Sequence, residues 1–162
     1  MVLVIQRYSK VHFDLAPLVQ LFRDYQAFNA ALGIPLDFQG FEAEVVVLPG
    51  RYATSQGGEL YLALWQGQPV GCTAYYRFDA TTAELKRLFV SASVTGQGIG
   101  KWLIEAALED ATEAGYERMI LDSVGRLTAA RKLYERMGFE DISSYNDNPF
   151  EDAYFMEKRL RL

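Results

Sequence analysis

A chain of 162 residues, 50% hydrophobic, 23% charged and 14% aromatic, suits one continuous core, so residues 1–162 are expected to form a single domain rather than two. This composition excludes a disordered chain, and a formal charge of −5 argues against non-specific nucleic-acid binding, which needs a basic surface to displace counterions. No run reaches the ~18 to 20 apolar residues that cross a bilayer, and the amino terminus lacks a charged start with a long apolar stretch, so a cytoplasmic protein without nucleic-acid or membrane partners is expected.

Val2, Val4 and Gln6 alternate with Leu3, Ile5 and Arg7 in a first strand. His12, the only histidine, sits beside Phe13 as a cap or surface residue, and Asp14 caps a long helix. That helix carries Leu15, Leu18, Val19, Phe22, Tyr25 and Phe28 on recurring turns until Gly33 and Pro35 end it. A second helix is expected over Phe38 to Leu48, against the β preference of Val45, Val46 and Val47. Leu60 to Trp65 and Val70 to Phe78 read as strands joined through Gln66, Gly67, Gln68 and Pro69, and Ala83 to Val90 adds a third, giving an antiparallel meander. Cys72 is the only cysteine, which rules out an intrachain disulfide; it reads as a small buried side chain, and no metal is expected.

After Gly96 to Gly100 the period becomes helical, with Ile99, Leu103, Ala106, Ala107 and Ala111 in one stripe and Gly115 as the stop. Arg118 to Asp122 is a further strand. A right-handed crossover then lays Leu85 to Val90 parallel to Met119 to Leu121. Another helix carries Ala130, Leu133, Tyr134 and Met137 and stops at Gly138, and Ala153 to Leu160 is the last strand. Gly57-Gly58 and Ser143 to Asp152 read as loops, either binding or inert. The expected class is α/β in the α+β sense: a mixed, mostly antiparallel sheet flanked by helices, with one parallel strand pair.

The stretch T95-G96-Q97-G98-I99-G100-K101 lies between strand and helix, where glycines permit a tight turn and the helix start presents N–H groups to a phosphate. Lys86, Arg87, Arg118, Arg126, Arg131 and Lys132 could gather into a local basic patch for such a ligand. A dinucleotide fingerprint starting at Gly96 would need glycine where Lys101 stands. A Walker loop ending at Gly100-Lys101 would need glycine at Thr95 and a hydroxyl at Trp102. Neither fits.

Glu84 through Phe139 resembles the GNAT superfamily of N-acetyltransferases, in L88-F89-V90, G96-Q97-G98-I99-G100 and A129-A130-R131-K132-L133-Y134-E135-R136-M137-G138-F139. The resemblance implies acetyl-CoA as cosubstrate, its arm along main-chain groups of Leu88 and Val90, and its pyrophosphate held by Thr95, Gly96, Gln97, Gly98, Gly100 and Lys101. It further implies Tyr134 as proton donor to the leaving sulfur, Glu84 as base acting directly or through water, and a main-chain donor near Leu88 for the carbonyl oxygen. The reaction implied is direct transfer to a primary amine of a small molecule or peptide, which leaves Cys72 out. The structural parallel readings are that Tyr134 completes an apolar helix face and that Glu84 makes a solvent-exposed pair with Lys86 or Arg87.

Thr95 stands where the family usually has arginine or glutamine, and Leu127 where it often has asparagine. These departures keep open a non-catalytic acyl-CoA-binding regulatory module of the same fold. In the late loop, Tyr145, Asn148 and Phe150 could shape an acceptor pocket, with Asp147, Glu151 or Asp152 drawing a cation, or the segment could be a hydrated turn. Arg126 could instead take an acceptor carboxylate. An exposed sheet edge or helix face would allow a homodimer.

Overall fold

The computed structural model describes residues 2–36 and 40–161. Its elements run β1 (Leu3–Arg7), α1 (Tyr8–Val11), α2 (Leu15–Ala31), α3 (Phe41–Val46), β2 (Glu59–Trp65), β3 (Gln68–Asp79), β4 (Thr82–Val90), α4 (Ile99–Glu113), β5 (Arg118–Val124), α5 (Thr128–Arg136), β6 (Glu140–Ile142) and β7 (Ala153–Arg159). One seven-stranded sheet takes the order β1-β2-β3-β4-β5-β7-β6. All its pairings are antiparallel except β4 with β5.

Local chemistry sets most boundaries. Asp14 caps α2 by accepting from the Ala16 amide at 3.0 Å, as its place before an apolar run predicts. His12 closes α1 in a left-handed conformation at the surface, the expected cap role. The β2–β3 link is tighter than predicted: Gln66 and Gly67 both have positive φ, 50° and 81°, so Trp65 already pairs with Gln68 across a two-residue turn. Phe38, the expected start of the second helix, lies outside the described residues. The observed helix ends at Val46, where the β-branched run gives way to turns. The turn of α1 and the three-residue β6 had no sequence signal, both being too short for a period to show.

Strand alternation divides the core into two layers. Tyr61, Ala63, Leu85 and Met119 face α4 and α5 with Leu103, Ile104, Ala107 and Tyr134. Leu60, Leu62, Cys72 and Ala74 face α2 and α3 with Leu18, Phe22, Phe41 and Val45. Cys72 is buried there as expected.

Two expectations are corrected. The parallel ladder joins Thr82–Glu84 to Arg118–Ile120 and does not extend to Leu85–Val90. The reason is a bulge: between Cys72 and Ala74 on β3, β4 advances from Phe89 to Lys86, and Arg87 takes φ 61°. The bulge also places Lys86 and Arg87 on the same face. Nor do the predicted cations form a patch: Arg118 pairs with Glu157 at 3.0 Å, Arg126 with Asp152 at 2.9 Å, Arg131 with Asp141 at 2.8 Å, Lys86 with Asp122 at 3.6 Å and Arg87 with Glu44, and Lys132 is exposed.

Arg87 is the most buried of them, bonded to Glu44 at 2.9 Å and 5.1 Å from the Phe41 ring centroid. Arg51 and the Tyr52 hydroxyl also bond Glu44, each at 2.8 Å. Burial raises the Glu44 carboxyl, but Arg87, Arg51 and Tyr52 outweigh it and hold it below the ordinary range. A depressed folded-state pKa contributes stability above the unfolded value of about 4.3 that is lost as pH falls. Glu44→Gln is therefore expected to cost roughly 3 kcal/mol at neutral pH by urea unfolding, since it strands a buried guanidinium, and to flatten the stability loss on acidification.

Candidate active site

Past Glu84 the two parallel strands part, while β5 stays paired with β7 through Val124. Among the described residues, the β4 main chain facing that gap has no strand partner. Its polarity follows from register: the Ser91 amide donates to Val70 at 2.7 Å, so alternation turns Phe89 toward β3 and the peptide groups of Leu88 and Val90 toward the gap. Leu88 and Val90, both predicted from the sequence, thus turn peptide groups toward the gap without a strand partner there among the described residues.

The glycine turn stands at the mouth of this gap. A single-turn 3-10 helix, Ala92–Val94, leads to Gly96 and Gly98 with φ 85° and 77°, and a side chain at either would be strained, while the space before each is open. Gly98 is the N-cap of α4 and no side chain caps this end, so the first N–H groups of Ile99, Gly100 and Lys101 point outward without an intrahelical partner. Gly100 serves packing: a Cβ there would meet Leu133 Cδ2 at 2.9 Å. The Thr95 hydroxyl donates to the Ala92 carbonyl at 2.9 Å and so holds its own turn, and Lys101 is exposed, 4.0 Å from Glu105. Such a surface suits a polyphosphate attached to a long polar chain. Gln97 is exposed within it.

Glu84, instead of making the solvent-exposed pair, is 2% exposed and accepts the hydroxyls of Tyr76 and Tyr145. Lys86 lies 4.0 Å from it and 3.6 Å from Asp122. Burial raises both phenols, and the Glu84 charge raises them further, so they persist as donors. Asp122, which the sequence reading passed over, accepts the side-chain amides of Asn146 and Asn148 on Oδ2 at 3.0 and 3.1 Å. Its signal was an acid inside the apolar run M119-I120-L121-D122-S123-V124, two residues after the partner of Glu84 and so on the same face.

Tyr134 is buried on α5, edge-on to Phe139 at 5.8 Å. Burial pushes its hydroxyl well above the ordinary tyrosine value, and Tyr154, Tyr25 and Asp122 add to the shift. Tyr25 comes from α2 on the opposite face of the sheet.

The late loop is anchored by these contacts, while Ser143, Ser144, Asn146, Asp147, Pro149 and Glu151 stay exposed. Tyr145 packs between Phe78 and Phe155, at 5.3 and 5.2 Å. Arg126 holds Asp152 through a two-pronged bond, 2.9 Å on each prong, lies over Phe150 at 5.2 Å, and donates to the carbonyls of Leu32 and Gly33. Arg126 and Asp152 therefore satisfy each other at the surface. Asp147 and Glu151 are exposed. A separate groove of about 1160 Å³ between α4 and β7, lined by Trp102 and Leu160, contains none of these residues. In Asp122→Ala the Asn146 and Asn148 side chains lose the acceptor that orients them, so the Asn148 and Phe150 amides, which bond to Asn146 and Asn148, are expected to exchange at least about tenfold faster while β2 and β3 stay protected.

Residues 21–139 match the model of the acetyltransferase (GNAT) family. The chain is 29% identical to an uncharacterized N-acetyltransferase of Schizosaccharomyces pombe, with 83% of each chain covered, and 26% identical to one of Dictyostelium discoideum, with 98% of each covered. A crystal structure of an acetyltransferase from Streptococcus agalactiae superposes with TM-score 0.77 at 26% identity, over 98% of both chains. With the parted parallel strands, the glycine turn and a match over most of its length, the chain belongs to the acetyltransferase (GNAT) family.

Proposed function

We propose that this protein transfers the acetyl group of acetyl-CoA directly to a primary amine of a small molecule or peptide. The observation that carries the reading is the parting itself: beyond Glu84 the β5 ladder ends, leaving Leu88 and Val90 without a strand partner on that side among the described residues, and the uncapped start of α4 follows them. Acetyl-CoA supplies the activated acyl group as a thioester. The amides of Ile99, Gly100 and Lys101 bind the pyrophosphate, and Leu88 and Val90 orient the arm as a strand would.

Catalysis then falls to a few groups. A main-chain N–H near Leu88 faces the carbonyl oxygen as it gains charge, and Tyr134, kept protonated by burial, holds the proton that the departing sulfur needs. The amine must lose a proton, and Glu84 serves as its sink. Because Tyr76 and Tyr145 occupy the Glu84 oxygens, that proton passes through the Tyr145 hydroxyl or water rather than by direct contact. Tyr134→Phe is expected to lower kcat by about a hundredfold and leave the Kd for acetyl-CoA within about twofold, measured by coenzyme A release and by calorimetry. Unchanged turnover would remove Tyr134 from the reaction, and a wild-type protein that binds acetyl-CoA yet acetylates nothing would be a binding module.

A further inference from the structure

We propose that the acceptor is a monoamine bearing an aromatic or alkyl group and no carboxylate, an inference that rests on the acetyl-transfer reading. The direction of approach comes first. The glycine turn and α4 lie on one face of the sheet, whereas Glu84 and Lys86, which alternate with Leu85, and Asp122 beside them belong to the α2 face. An amine entering opposite the pyrophosphate therefore meets the α2 face.

On that face the cations are already committed. Arg87 and Arg51 share Glu44, Lys86 lies between Glu84 and Asp122, and Arg126 is held by Asp152 and two carbonyls. Arg51, the most exposed of the first three, also stacks 4.0 Å over the Tyr76 ring. An acceptor carboxylate would have to break one of these pairs, and near Glu84 and Asp122 it would meet like charge. An ammonium meets the opposite situation. Glu84 and Asp122 are two carboxylates facing one lysine, at 4.0 and 3.6 Å, so the cluster keeps a net negative charge that one ammonium would balance.

The α2 side of β4 is aromatic: the Tyr25 ring lies 6.2 Å from Phe89, and Phe28, one turn further along α2, is also 6.2 Å from Phe89. Phe28 is 51% exposed, so this lip offers ring surface to a substituent on the amine.

The test measures coenzyme A release by the full chain at saturating acetyl-CoA, with phenethylamine, hexylamine, phenylalanine, aspartate and spermidine. Phenethylamine differs from phenylalanine only in lacking the carboxylate. Its kcat/KM is expected to exceed that of phenylalanine by at least about tenfold, with hexylamine also turned over. Phe28→Ala, a surface change, should raise KM for phenethylamine about fivefold and leave KM for acetyl-CoA unchanged. Equal or better use of phenylalanine, aspartate or spermidine would overturn the proposal, as would acetyl-CoA binding without turnover of any of these amines. Failure of acetyl-CoA to bind would overturn the acetyl-transfer reading and this inference with it.

Discussion

β4 and β5 share a ladder only at Thr82–Glu84 and Arg118–Ile120, and their parting beyond it governs what the molecule can do. A strand inside a sheet spends its peptide groups on its neighbours; one that loses a neighbour part-way keeps a row of donors and acceptors in a sheltered place. The bulge at Arg87 accompanies the parting. A left-handed conformation costs a non-glycine residue about 1 kcal/mol or more, and here the Arg87 side chain is locked to Glu44 beneath it. Strain at the gap and the buried ion pair on α3 are thus two sides of one arrangement.

The sheet gathers residues from separate layers. Tyr134 belongs to the α4 and α5 layer, and Tyr25 to the α2 layer. The Asp122 charge adds to the raised pKa of Tyr25, Tyr134 and Tyr145, which come from two helices and a loop. No single segment contains this site, so its chemistry depends on the strands holding their register.

The sequence displayed what repeats over a few residues. The stripes of α2 and α4, the Asp14 cap, the meander and the glycine turn all have local causes and were legible. Glu84 and Tyr134 were singled out through the motif that surrounds them; the structure places Glu84 where the parallel strands part and buries Tyr134 on α5. The failures concern partners distant in sequence. Whether Arg126 is free depends on Asp152, and whether Glu84 is buried depends on Tyr145, at separations that no period encodes. Asp122 was passed over because a lone acid in a short apolar strand has meaning only once the neighbouring strand supplies Lys86. The extent of the parallel ladder was overestimated because a bulge leaves no mark in the alternation of L88-F89-V90.

Glu84 and Asp122 also pose an energetic question. Both side chains are nearly buried, at 3% and 4% exposure, with one lysine between them. Moving an ion out of water costs several kcal/mol even after relaxation, and a well-packed apolar cluster of similar volume would often be at least as stable. Phenols on Glu84 and amides on Asp122 offset part of that cost without adding a second positive charge. Stability alone therefore gives little reason for two carboxylates around one ammonium. A substrate that brings its own positive charge, and loses a proton there before attack, makes the arrangement useful.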